Sequence, residues 1–364
     1  MRDWPNDSLR CFYTYSEFKS EYRAKQGFVY AHVPNSPGRR FALPFYLGFK
    51  PEWRNRYSAR WLRSSLMSFS PNIVYAFVCS MACLEFSYWI AKKAKAPLAV
   101  HVADDIINDD NVEPIVREIM GYAKIRIAIY KIMQKKYEEI FGLKFSVFHN
   151  FARQEMMGEC KNSLEKSFNP ENPFLIRFIG SYFPQLHEDA IDDIIAVTDK
   201  LKERGIALKL EFWGNEFPSG SILARWKNCH AVHLGTFKEE DKCKLHWDAD
   251  LLLVPASFNE KSRKYYQYSF PTKLTECLLS ATPTLVYSPP KMGASHFCKE
   301  NDVGVLLLVK SKDKLEKLII NILKNYSLFS KKAWKDSQKI GNKFSLNRIR
   351  KEFQGELMKC VSSN

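Results

Sequence analysis

From Phe174 to about Lys310 the sequence repeats one alternation, a short apolar run followed by a polar turn and a segment whose apolar residues recur at helical spacing. The runs are FLIRFIG, ALKLEFWG, AVHLGTF, DLLLVPA, PTLVYS and GVLLLV, with helices beginning near Glu188, Ser221, Glu239, Pro271 and Ala294. Strands this continuously apolar are covered on both faces, and helix-length connections between them select parallel βαβ units over all-helical or sandwich folds. The earlier part reads the same way, with NIVYAFV, PLAVHVADD, IRIAIY and KFSVFHN as strands and CLEFSYWIAKKAK and KIMQKKYEEIFG as helices. A polar stretch, NFARQEMMGECKNSLEKSFNPENP, separates the two series. At 364 residues the chain exceeds one ordinary core. The expectation is an α/β protein of two doubly wound domains facing a cleft, residues 1–150 and 151–343. Residues 344–364 form a closing helix that could cross back to the first domain. Met1 to Lys25 offers only CFYTY and no glycine, so the first strand of the opening domain is missing or divergent.

Composition narrows the class. Hydrophobic residues at 46% and charged residues at 26% are those of a folded chain. Nine cysteines at irregular spacings give neither a disulfide framework nor zinc knuckles, which fits a reducing cytoplasm. MRDWPNDSLR has no cationic start leading into an apolar core, so no secretory signal is read there. The apolar run from Ile73 is broken by Glu85 and serines and is better explained as a strand and a helix than as a membrane span. Net charge is +15, with seven Lys/Arg against one Glu between Arg39 and Arg63, interleaved with Phe41, Phe45, Tyr46, Phe49, Trp53, Tyr57 and Trp61. That mixture suits an anionic membrane surface, with nucleic acid as the competing partner and a solvated basic helix as the bland alternative.

Ligands of open α/β sheets bind beyond the carboxyl ends of strands, so candidate residues are those that follow a strand. Gly214 ends one strand, where the missing Cβ admits either a ligand or a turn. DLLLVPA is followed by SFNEKSRKYYQYSF, which places Lys261, Arg263 and Lys264 on a loop leading to a helix that begins at Pro271. In that helix Leu274, Cys277, Leu278 and Ala281 share the buried spacing, while Lys273, Glu276 and Ser280 fall on another face. Lys273 and Glu276 read either as a surface ion pair or as cation and acceptor for one nucleoside diphosphate. In the first series HVADD brings His101 and Asp104 or Asp105 to a strand end, as sugar-binding imidazole and acceptor-orienting carboxylate, or as packing residue and helix cap. Asp248 and Asp250 stand before their strand, at the end opposite to a catalytic site, and DDIINDDN lacks a defined ligand order, so neither is read as a metal centre.

SFPTKLTECLLSATPTLVY resembles the donor-site helix and following strand of glycosyltransferase family 4, of the form Pro-x-Lys-x-x-Glu with a later Pro and an apolar strand. YEEIFGLKFSVFHNF is similar to the last helix and strand of that family's first domain, leading to Asn150, and the likeness covers roughly residues 70–325. The resemblance implies a GT-B fold and a hexosyltransferase-type enzyme that moves a sugar from a nucleotide-diphosphate donor to an acceptor hydroxyl. It implies retention of configuration, no essential metal or other cofactor, and a place in surface polysaccharide or glycolipid synthesis. The partners it implies are the nucleotide sugar and a polysaccharide or lipid-linked acceptor; nucleic acid is not expected. The location it implies is cytoplasmic, peripheral on the inner face of the plasma membrane. Glu276 would accept from the nucleotide ribose. Lys273, Arg263 and Lys264 would face the diphosphate, Gly180 and Gly214 would admit the donor, and His101 would hold the sugar. The pattern departs in three places. Tyr268 stands where relatives carry an earlier glutamate, Ser181 follows Gly180 where they carry a basic pair, with His187 as the nearest substitute, and Ala281 replaces a glycine. A non-catalytic nucleotide-binding relative, or a basic membrane- or nucleic-acid-binding protein, is the alternative.

Overall fold

The structure, a computed structural model, describes residues 10–13, 29–32, 70–107, 112–148, 154–159, 168–214, 220–228 and 231–361. The basic aromatic stretch from Arg39 to Arg63 and Asn150 lie outside the described residues. The chain divides into two compact units, one of Met1–Val102, Asn111–Arg126 and Leu357–Asn364, the other of Ala103–Asp110 and Ile127–Glu356.

In the earlier part β1 (Arg10–Tyr13) and β2 (Val29–His32) form a parallel pair. Next come β3 (Val74–Val78), α1 (Met81–Ala94), β4 (Leu98–Val102), α2 (Pro114–Tyr122), β5 (Ile125–Ala128), α3 (Lys131–Phe141) and β6 (Ser146–Val147). β3 to β6 make a four-stranded sheet in chain order. Every residue of β4 is buried, as its unbroken LAVHV run requires. The apolar run from Ile73 resolves into β3 and α1, the helix being started by Ser80, whose side chain accepts the Cys83 N–H, and stopped by Lys95 in the left-handed region. No helix among the described residues is long and apolar enough to cross a membrane. Tyr130 and Lys131 engage His296 and Glu300, contacts internal to the second unit, which also holds residues 127–150.

The second unit contains β7 (Phe174–Ile179), α4 (Pro184–Glu203), β8 (Leu208–Trp213), α5 (Ser221–Asn228), β9 (Ala231–Gly235), α6 (Lys242–Asp248) and β10 (Leu251–Pro255). It continues through α7 (Glu260–Tyr266), α8 (Thr272–Leu279), β11 (Thr284–Tyr287), α9 (Gly293–Asn301), β12 (Val305–Leu307), α10 (Lys312–Lys324) and α11 (Tyr326–Lys343). The last helix, α12 (Leu346–Val361), passes at Leu357 into the first unit.

All six expected strands form one parallel sheet in the order β12-β11-β10-β7-β8-β9. The order reverses between β7 and β10, the switch point at which open α/β sheets leave a crevice at the strands' carboxyl ends. Phe174, Ile176, Phe178, Leu210 and Phe212 join Ile191, Ile194 and Leu201 of α4 in one core. On the other face Arg177 and Glu211 form an ion pair at 2.6 Å with side chains about nine-tenths buried or more. Asp250 sits at the leading end of β10, where its Oδ2 accepts the Leu175 N–H at 2.9 Å. That carboxylate is used within the sheet, as its position before the strand implied.

One expected element is different. Lys261, Arg263 and Lys264 lie on α7, not on a loop, because Asn259 caps the helix by accepting the Lys261 N–H. Pro271 is the cap position of α8, and Thr272 is its first residue.

Candidate functional site

Gly180 ends β7 with φ 136°, a conformation L side chains rarely adopt. Its N–H donates to the Trp213 carbonyl at 2.7 Å. A Cβ on Gly214 would lie 2.2 Å from the Gly180 carbonyl oxygen, so the space beside Gly214 is taken by protein backbone. A Cβ on Gly180 would meet the Lys273 side chain at 3.4 Å. The two glycines therefore let the ends of β7 and β8 close up and leave room for one side chain, that of Lys273.

Lys273, in the first turn of α8, places Nζ 4.1 Å from the centre of the Phe178 ring and 3.2 Å from His187 Nε2. Among the described residues it pairs with no carboxylate. The residue keeps partial solvent exposure, yet its amine is surrounded by protein, and this desolvation pulls its pKa down to about 7. His187 is 1% exposed, in the first turn of α4, and its Nδ1 accepts the Phe183 N–H at 3.1 Å. Burial, and then the neighbouring Lys273 charge, hold the imidazole well below its ordinary pKa. The amino-terminal part of α4 and the loop after β10 are tied together at this end, since Ser257 N–H donates to Leu186 O at 2.6 Å and Phe258 N–H to Asp189 Oδ2 at 3.1 Å.

Glu276, one turn along α8, does not pair with Lys273. Its carboxylate accepts from Lys242 Nζ at 2.6 Å, both side chains being 17% exposed. The two charges of α8 thus face protein, and the surface-pair reading of them is not realised. Tyr268 lies under the Lys136 ammonium at 4.2 Å. Arg263 and Lys264 are 39% and 70% exposed, each within 3.9 Å of Glu260.

His101, on β4, is buried; its Nδ1 lies 2.7 Å from the Tyr75 hydroxyl and its ring meets Phe77 edge-on at 5.2 Å. Asp104 is exposed. Asp105 has a side chain 2% exposed and accepts from Lys136 Nζ at 2.6 Å, Tyr137 Oη at 3.0 Å and Ile107 N–H at 3.2 Å. Its oxygens are engaged by neighbours in the fold. Among the described residues no group of His, Cys, Asp and Glu could hold a metal ion.

Three partners escaped the sequence. Lys242, Phe178 and Tyr75 meet Glu276, Lys273 and His101 only through strand and helix packing across 34, 95 and 26 positions of the chain, and no local spacing encodes that.

No protein-family model matches the sequence, and no curated protein does. Solved structures do match. HepE of Anabaena, in complex with UDP-glucose, is 12% identical and superposes over 96% of this chain and 99% of its own with a TM-score of 0.69. Sucrose-phosphate synthase of Thermosynechococcus elongatus is 12% identical over 98% and 90%, TM-score 0.67. A glycosyltransferase of Rickettsia africae is 14% identical over 94% and 88%, TM-score 0.68. Together with the two parallel sheets, these likenesses establish that the chain has the GT-B fold.

Proposed function

We propose that the protein is a glycosyltransferase that moves a sugar from a nucleotide-diphosphate donor to an acceptor hydroxyl, and that its second unit binds the donor. The observation that carries this reading is Lys273. A desolvated amine that pairs with no carboxylate among the described residues stands at the carboxyl end of β7, beside the amino end of α4 and next to the switch point. An anion completes such a site, and a diphosphate is the anion a sugar donor brings. Glu276, steadied by Lys242, then accepts from the ribose. His101 is the imidazole proposed to hold the transferring sugar, and Asp104, the exposed member of its pair, the carboxylate proposed to orient the acceptor. On α7 Arg263 is less exposed than Lys264 and adds to the diphosphate field, with Lys264 further out. No metal takes part. Transfer retains configuration and serves surface polysaccharide or glycolipid synthesis, in the cytoplasm against the inner membrane face.

The membrane part of this reading is supported by α11. Its exposed side carries Lys331, Lys335 and Lys339 at four-residue spacing, together with Leu328, 68% exposed, and Trp334, 37% exposed. Like charges at that spacing repel, and an anionic lipid surface relieves them while accepting the two apolar side chains.

Tyr268 in place of a glutamate favours a second reading, a donor-binding relative without transfer. Assay of the purified chain for donor hydrolysis or transfer separates the two. Turnover lost in a folded Glu276→Ala variant supports the enzyme, and donor binding without any turnover supports the relative.

A further inference from the structure

Lys273 and His187 meet nitrogen to nitrogen, and the protons between them can be counted. Because His187 Nδ1 accepts the Phe183 N–H, the neutral ring carries its proton on Nε2. That Nε2–H faces Lys273 Nζ at 3.2 Å. An ammonium there would set donor against donor, whereas a neutral amine offers its lone pair. The groups around Lys273 leave this balance open. From β7 comes the Phe178 ring, which favours a cation but carries no charge of its own. From α4 comes His187, and from its own helix Cys277, whose thiol burial pushes up to about 12, so that it stays neutral. Glu276 is turned to Lys242. No carboxylate among the described residues fixes the charge on Lys273.

Resting on the donor-site reading, we propose that the diphosphate binds with uptake of one proton at Lys273, and that His187 is the positioning residue that holds the amine neutral until the anion arrives. The step balances simply. A solvent proton joins the amine lone pair, the Nε2–H···N bond is released, and the new ammonium donates to a phosphate oxygen above the Phe178 ring. The sign follows from linkage. The free site titrates at about 7, and a bound diphosphate raises that value. Affinity is therefore level below the free value and falls as pH climbs from there towards the bound value, by up to about tenfold per pH unit.

Calorimetry of the full chain with UDP-glucose, GDP-mannose and ADP-glucose, in two buffers of different ionisation enthalpy, reads the proton directly. The probe that binds should take up close to one proton at about one pH unit above the free value, and almost none well below it. Lys273→Arg, permanently charged, should bind with no uptake and no slope in that range. Should that variant fail to fold, Lys273→Met should bind more weakly, also with no uptake. His187→Leu should lower the uptake and move the fall in affinity to higher pH, whereas loss of a merely structural contact would weaken binding alike at every pH. Binding by the wild type without uptake, or uptake persisting in the Lys273 variants, overturns the proposal. Binding of none of the three probes overturns the donor-site reading and this proposal with it.

Discussion

At the scale of single residues, the second unit holds charge in two ways. Arg177 and Glu211 are matched to each other, and Lys209 at 2.8 Å and the Trp213 indole at 3.1 Å add to Glu211. Burial pushes the Glu211 carboxyl upward, but these partners outweigh it and leave the pKa below its ordinary 4.5. Its contribution to stability is present above that value and is lost as pH falls through the lowered one. Arg177→Met takes from the buried carboxylate its one buried cation among the described residues, leaving the more exposed Lys209 and the Trp213 indole, and should cost about 3 kcal/mol in chemical denaturation at neutral pH. Lys273 is held differently, with its charge unfixed. In the same denaturation experiment Lys273→Met should cost only about 1 kcal/mol, because it removes a desolvated amine and keeps the contact with Phe178 but leaves the His187 Nε2–H without its acceptor. A loss as large as that of the Arg177 variant would show that Lys273 is a packing residue.

At the scale of elements, the strands were legible because they are short apolar runs, of which β4, β10 and β11 are buried throughout, and the periodicity of two or of 3.6 does not depend on what lies across the sheet. The short helix α7 was not. Its sequence, EKSRKYY, has no apolar stripe, and its ion pairs with Glu260 are exposed, so only the Asn259 cap announces it. Gly214 was legible as a strand-end glycine, but its reason, the Gly180 carbonyl on the neighbouring strand end, comes only from register. Gly214→Ala should destabilise by about 1–3 kcal/mol through that clash, read as a lower melting midpoint. The face of α11 makes a third element-scale prediction. Lys331→Glu, Lys335→Glu and Lys339→Glu together should abolish salt-sensitive sedimentation with vesicles containing phosphatidylglycerol and leave the melting midpoint almost unchanged. Undiminished vesicle binding would remove α11 from the membrane contact.

At the scale of the whole molecule, sequence patterning was enough for the fold class, and the match to GT-B structures over nearly the full chain at 12–14% identity shows how little else that fold demands. The site was legible in part. Lys273 and Glu276 stand out on α8 because polar residues interrupt an otherwise buried helix, but their partners Phe178, His187 and Lys242 arrive from other elements. Recognition of a nucleotide sugar by the second unit is tested most directly by thermal unfolding with UDP-, GDP- and ADP-sugars. A donor at about a hundred times its dissociation constant stabilises by about 2.7 kcal/mol, so one of them should raise the midpoint by roughly 5 °C. Glu276→Ala or Lys273→Met should erase most of that rise. A midpoint unmoved by every sugar nucleotide, in a chain that melts cooperatively, would contradict the account.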